Sequence, residues 1–398
     1  MSLTVPTLPA AAPPQHRAVP FSPPAIGDDE IAEVVDSLRS GWITTGPKTR
    51  QFEAAFAQRV GAADAIGLSS CTAALHTALV ALGTGPGDEV ITTPLTFCSC
   101  VNVIEQVGAH PVLADVTRDT LNIDPDAIAA AITPRTRAIL VVHYAGHPAD
   151  LGSIRAIAAQ HRLALIEDAA HAFPAAFQGQ PIGAGPNPVA FSFYATKNLT
   201  TGEGGMLTGE PGLIERARVL SLHGMNRDAW RRYDVGGSWF YEVVEPGFKY
   251  NMTDIQAALG LAQLRRLDAL QQRRRRVAEA YTAAFGGHDA FETPVQHPDV
   301  EHAWHLYPLR LRLDALCIDR ARFIAELTRR RIQASVHFIP IHLHPWYRDR
   351  YGCAPLDYPV AFENYRRLIS LPLNAVMTDG DAAAVIEAVL DIAEIFAR

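Results

Sequence analysis

The sequence predicts an α/β protein, with a mostly parallel sheet covered by helices and a smaller α+β domain after it. Three observations carry this. From Gly27 to about Ala170, short apolar runs alternate with segments of helical period. The runs are apolar on both faces, as strands covered on both sides must be. After Gly247 the alternation gives way to one long helical pattern, and then to a strand of period two.

Taken in order, "MSLTVPTLPAAAPPQHR" is rich in Pro and Ala and reads as a loose arm over residues 1–20. It has neither the charged start nor the apolar stretch of a secretory leader. "TGPKTRQFEAAFAQRVG" predicts a turn and an amphipathic helix stopped by Gly61. "AAIGLSS" is a strand and "CTAALHTALVALG" a helix of small residues. "DEVITTPL", "CSCVNVIEQVG", "HPVLADV" and "DPDAIAAAI" continue as strand, helix, strand and a helix opened by Pro125. "TRAILVVHY", "DLGSIRAIAAQHR" and "LALIEDAA" repeat the unit. A single helix then runs from the N-cap Thr253 to Gly286. "AWHLYPLRLR", "DRARFIAELTRRR" and "IQASVHFIP" read as strand, helix and strand, before a last helix from about Asp379. These patterns assign residues 21–264 to a large domain and 265–398 to a small one, with the long helix bridging them.

Composition narrows the function. The 398 residues are 48% hydrophobic and 19% charged, which is ordinary for a globular chain. A formal net charge of −7 argues against a nucleic-acid binder. The arginine runs at 273–276 and 329–331 sit in helical patterns and read as solvated helix faces. The 5 cysteines are odd in number and irregularly spaced, without a CxxC pair. They read as reduced thiols of a cytoplasmic protein that binds no metal. No apolar run is long enough to span a membrane.

Two glycine-rich stretches are rejected as phosphate loops. "GTGPGDEV" leads into a strand instead of leaving one, and "TKNLTTGEGG" has its lysine before the glycines. Without a correctly ordered glycine fingerprint, a nicotinamide-dependent dehydrogenase is disfavoured. "LSSCTAAL" has the required order: a strand, small residues, then a helix. The Thr72 and Ala73 N–H groups, with the Ser70 and Thr72 hydroxyls, would either hold an anion or simply cap the helix. "LALIEDAAHA" ends a buried strand in two acids. Asp168 there would cap a helix or meet a cationic ring nitrogen, and His171 would be a surface histidine or reach the same ligand. "FSFYATKN" alternates as a strand and ends in Lys197. Burial would lower the pKa of such a lysine, and a neutral amine is what Schiff-base chemistry with an aldehyde requires.

The order "SSCTA", "PLTF", "EDAAHA", "FSFYATKN", "GEGG", "LxxHG", "GFKYNMTDIQAALG" and "VHFIPIHLHPWY" resembles the DegT/DnrJ/EryC1/StrS family from about Phe21 onward. Its members are sugar aminotransferases that use pyridoxal 5′-phosphate (PLP) on an aspartate-aminotransferase-like fold, PLP fold type I. The resemblance implies that Lys197 forms the Schiff base and then moves the proton between substrate and cofactor. It implies that Asp168 pairs with the pyridinium nitrogen, and that His171 stands beside the ring's 3-hydroxyl. Phe97 matches an aromatic that stacks on the ring; Thr72, Ala73 and Ser192 match phosphate contacts. Asn251 matches a residue that reaches the neighbouring subunit's cofactor, so a homodimer with shared sites is implied. Trp42, Tyr250, His305, His337 and His342 are candidates for contact with the sugar nucleotide.

"SGWITTGPKT" and "GFKYNMTD" are most similar to enzymes that aminate C4 of a nucleotide-linked keto sugar, of the UDP-4-amino-4-deoxy-L-arabinose type. The implied donor is glutamate or glutamine, with pyridoxamine 5′-phosphate (PMP) as intermediate. Amination at C3, amination of a keto-cyclitol, and a PLP-binding regulator without turnover are the alternatives. A dehydratase branch that replaces the lysine by histidine is disfavoured by Lys197.

Overall fold

A computed structural model of the chain describes residues 17–226 and 240–398. The large core is built from β1 (Asp64–Leu68), β2 (Glu89–Thr92), β3 (His110–Leu113), β4 (Thr136–Val142), β5 (Ala164–Asp168), β6 (Ala176–Phe177), β7 (Gln180–Pro181), β8 (Val189–Ser192) and β9 (Gly205–Gly209). Its helices are α1 (Asp28–Ser40), α2 (Pro47–Val60), α3 (Cys71–Ala81), α4 (Ser99–Gln106), α5 (Pro125–Ala131), α6 (Leu151–His161) and α7 (Pro211–Ser221). Seven of the strands form one sheet in the order β1-β9-β8-β5-β4-β2-β3. Only β9 runs against its neighbours, so the predicted parallel sheet carries one reversed strand.

Strict alternation of apolar side chains covers both faces. Ala138, Leu140 and Val142 of β4 pack with α3 and α4, whereas Ile139 and Val141 pack with α5 and α6. On β8, Ala190 faces α3, while Phe191 joins Phe52, Phe56 and Phe193 in an aromatic cluster against α2. Each fully buried side chain of this size is worth about 1.5–3 kcal/mol. The sheet is therefore held from both sides, and its strand ends are rigid supports.

The helix α8 (Asp254–Phe285) opens with the predicted Thr253 cap, whose hydroxyl accepts from Gln256 N. Its first half, to Leu267, packs into the large core; Val277, Ala278, Tyr281 and Phe285 pack into a second core. That second core comprises β10 (Phe291–Glu292), β12 (Tyr307–Leu311), β13 (Leu368–Leu371), α9 (Arg320–Arg329) and α12 (Asp379–Ile395). Between them lie β11 (Val300–Glu301), which pairs with β6, and the short helices α10 (Pro345–Tyr351) and α11 (Pro359–Arg367). Among the described residues no helix is long and apolar enough to cross a membrane.

Two expectations are corrected. "IQASVHFIP" is not a strand: it touches β13 only at an isolated bridge between Ser335 and Ser370, and its carbonyl at His337 is taken by the Tyr144 hydroxyl instead of a ladder. Residues 1–16 of the expected loose arm lie outside the described residues, but residues 17–20 are anchored. Val19 is buried and exchanges backbone hydrogen bonds with Arg331 and Gln333 on either side of Ile332, and Arg17 pairs with Asp381.

Candidate active site

The parallel strands β4, β5 and β8 deliver Val142, Asp168 and Ser192 from their C-terminal ends to one cavity of about 570 Å³. Ligands of open α/β sheets bind at this edge, because chain reversals there leave a crevice. The N-terminus of α3 supplies Ser70, Cys71 and Thr72, and the loop after β2 supplies Phe97. From the other side come His305, His337 and Phe338, with Phe21 and Ser22 closing the rim.

Lys197 lies beyond β8. The strand stops at Ser192, four residues earlier than its alternation suggests, because Thr201 N bonds back to Phe193 O and Lys197 N to Tyr194 O. This turn, not a strand, aims the lysine. Its side chain is partly accessible from the cavity, yet the amine is densely surrounded by protein. Burial, with Arg274 nearby, brings its pKa down to about 8 against the opposing pull of Asp168 and Cys71.

Asp168 is buried and held at both oxygens. Oδ1 accepts from Ala170 N at 2.9 Å, and Oδ2 accepts from the Cys100 thiol at 2.9 Å, with Cys71 Sγ 3.7 Å from Oδ1. Burial, then Asp168, pushes both thiols well up, so they stay protonated donors. Asp168 thus braces the turn after β5 and also lines the cavity; no helix follows it, so it is not a helix cap. His171 lies beside it in the cavity wall. Its Nδ1 is buried with no hydrogen-bond partner among the described residues, and burial followed by the Lys197 charge depresses its pKa well below the ordinary value. The imidazole is one of the side chains that line the cavity, and a buried polar atom without a partner calls for an explanation.

A phosphate cradle fits at α3, with one correction. Thr72 and Ser192 line the cavity, but the Ala73 N–H is already bonded to Ser70 Oγ at 3.0 Å, so Ala73 is capped instead of free. The helix end remains an anion site through its dipole and its first turn. Gly205 lets β9 pass close to that end: a Cβ there would stand 2.6 Å from Cys71 N. Of the glycines after Lys197, Gly205 therefore serves an approach of backbone to backbone.

Of the other candidates, Phe97 and His337 line the cavity, and burial brings the His337 pKa down to about 4. His342 does not: it is fully buried against Tyr358, with Nε2 near Pro355 O at 3.2 Å, which is a packing role. Tyr250 stacks on Phe248 and its hydroxyl meets His76 Nδ1, also away from the cavity. Trp42 donates to Thr45 O, and Asn251 donates to Thr45 Oγ1 and accepts from Lys249; neither lines this cavity. Sequence reasoning missed Cys100 and Phe338. The cysteine was tested only as a metal ligand, although its place one turn after "PLTF" could have flagged it. Phe338 stacks on His171 at 5.7 Å, a contact across 167 residues with no local signal.

The residues thus offer a buried amine, an opposed carboxylate, an apolar wall and an anion site, the set that PLP requires. The model of the DegT/DnrJ/EryC1/StrS aminotransferase family matches residues 24–390. The chain is 51% identical over 380 residues to the spore coat polysaccharide biosynthesis protein SpsC of Bacillus subtilis, covering 95% of this chain and 98% of SpsC. Among solved structures it is similar to the PLP form of Spr1654 from Streptococcus pneumoniae, classed as a sugar aminotransferase. That match has a TM-score of 0.89 at 36% identity and covers 95% of this chain and 99% of the other. PseC of Helicobacter pylori, an aminotransferase of pseudoaminic acid biosynthesis, superposes with a TM-score of 0.87 at 30% identity, over 96% and 100% of the two chains. The fold is PLP fold type I, the cofactor is PLP, and the chain belongs to the DegT/DnrJ/EryC1/StrS family of sugar aminotransferases.

Proposed function

We propose that this aminotransferase moves an amino group from glutamate or glutamine to C4 of a nucleotide-linked keto sugar. The observation behind the C4 assignment is the union of the two stretches that resemble C4 enzymes. Asn251 Nδ2 donates to Thr45 Oγ1 at 2.7 Å, and Asp254 accepts from Lys48 N and Thr49 N at 3.0 and 2.9 Å. The two stretches therefore form one hydrogen-bonded unit.

PLP, when bound, supplies an aldehyde to carry the amino group and a cationic ring to take up electrons as a proton leaves the donor carbon. The protein does the rest. Lys197, with a pKa of about 8, changes protonation state near neutrality and can take and return that proton. Asp168, fixed by Cys100 and Ala170, would pair with the ring nitrogen, and His171 would stand beside the ring hydroxyl. Phe97 would cover the ring face and exclude water, while Thr72, Ser192 and the α3 N-terminus would hold the phosphate. The Trp42–Thr45 and Asn251 unit serves a second subunit's cavity in a homodimer. Ile31, Leu38, Trp42 and Ile43 leave an exposed apolar face there of the kind that subunits bury. The five free thiols fit a reducing cytoplasm.

The purified enzyme, assayed with glutamate and a panel of UDP-, dTDP- and GDP-linked 3- and 4-keto sugars, tests this. Product from a 4-keto sugar is expected. Product from 3-keto sugars alone would move the reaction to C3, and no product from any would favour a cyclitol substrate or a regulator. Lys197→Ala should abolish both the visible absorbance of bound PLP and turnover; a yellow, active variant would overturn the lysine's role.

A further inference from the structure

His305 Nε2 lies 3.4 Å from Lys197 Nζ. What the imidazole does there depends on which ring nitrogen carries the proton, and the groups behind it decide that. Gln271, on α8, spends its Nε2 hydrogens on the carbonyls of Ala303 at 2.8 Å and His302 at 3.4 Å. Its oxygen is left facing Asn198. Asn198 Nδ2 then donates to that oxygen at 3.2 Å and to Ala303 O at 2.7 Å, which uses both its hydrogens. The Asn198 oxygen is turned to His305 Nδ1 at 3.2 Å. A carbonyl oxygen only accepts, so Nδ1 bears the hydrogen and Nε2 presents a lone pair to the lysine.

We propose that His305 is a positioning residue for Lys197: its Nε2 lone pair holds one N–H of the amine, so that the amine's own lone pair points away from the ring and into the cavity. The opposite tautomer would donate to the amine's lone pair and block it. An imidazolium would do the same and repel the ammonium. Burial, followed by the charge of Lys197 and, further down, that of Arg274, holds the His305 pKa well below its ordinary value. The ring is therefore a neutral acceptor while Lys197 titrates between Asp168, Cys71 and Arg274. Both ring nitrogens are engaged, which removes His305 from the residues free to bind a sugar.

The inference rests on Lys197 being the lysine that binds PLP, but its test does not need the loaded enzyme. In apo protein, the long-range ¹H–¹⁵N spectrum should show His305 protonated at Nδ1 at pH 7, the signal being assigned by its loss in His305→Gln. Protonation at Nε2 would overturn the proposal. The pH dependence of Lys197 acetylation by acetic anhydride, read by mass spectrometry, gives the amine's midpoint; absorbance on mixing with PLP gives the capture rate. His305→Leu removes the acceptor, so the midpoint should fall by about one unit and the plateau capture rate by about tenfold or more. His305→Gln, which keeps an acceptor oxygen, should restore both to within about threefold. A His305→Leu protein that melts like the wild type and keeps both values would overturn the proposal. If it fails to fold, the tautomer decides. A Lys197→Ala protein that kept PLP absorbance would overturn the cofactor reading alone and leave the tautomer result standing.

Discussion

The Cys100 thiol and the Ala170 N–H hold the two oxygens of Asp168, each at 2.9 Å, so the carboxylate is fixed before any ligand arrives. Fixing the group in advance removes an ordering cost from cofactor binding. It also makes a cysteine on α4 a support of the carboxylate that lines the cavity.

Cys100→Ala should therefore destabilise the apo protein by about 1–3 kcal/mol, because a buried carboxylate oxygen loses its donor. The loss should be smaller in PLP-saturated protein, where the ring N–H replaces the thiol as donor. Urea unfolding of both forms measures the difference. Equal losses would trace the effect to packing alone.

The rate of PLP capture by apo protein should rise about tenfold per pH unit up to pH 8 and then level off, since only the neutral Lys197 amine reacts and its pKa is about 8. Burial and Arg274 drive that value down; Asp168 and Cys71 resist. His305 adds no charge. Stopped-flow absorbance across pH 6–10 reads the profile. A rate still climbing past pH 10 would mean an ordinary lysine.

Gly205→Ala should cost about 1–3 kcal/mol, since the new methyl would stand 2.4 Å from Ser70 C and 2.6 Å from Cys71 N, and both are backbone atoms. The strain falls on the first turn of α3. PLP affinity, read by absorbance titration, should therefore fall as well. A loss of stability with unchanged affinity would separate β9 from the phosphate site.

The proposed two-subunit site makes a genetic prediction. Lys197→Ala and Asn251→Ala should each be nearly inactive as homodimers. Refolding them together in equal amounts should restore about a quarter of wild-type activity, because half of the dimers are hybrids and each has one intact site. No recovery in verified hybrids would confine each cavity to one chain.

Much of this was legible in the chain. The helix α8 announced itself through Thr253 and Gly286, and the strands β1 to β5 through apolar runs that only a doubly covered sheet explains. Lys197 and Asp168 stood out because a charged group at the end of a buried strand needs a reason. What stayed hidden was long-range. The contacts of His305 with Asn198, and of Phe338 with His171, join segments more than 100 residues apart, and no periodicity encodes them. β9 was overlooked because "GMLTG" has two glycines in five residues and so a weak strand signal. His342 misled for the opposite reason: a histidine in a conspicuous motif can simply fill a core.

For protein engineering, the anchoring of Val19 makes the first described residues a poor place to trim. The pairing of Val19 with the chain at Ile332 fixes the residues just after it: Phe21 stacks on His337 at 5.4 Å, and the Ser22 hydroxyl donates to Thr196 O at 3.1 Å. A truncation that reaches Ser22 removes part of the cavity rim and uncovers the small core, so a fusion or tag joined there alters the candidate site.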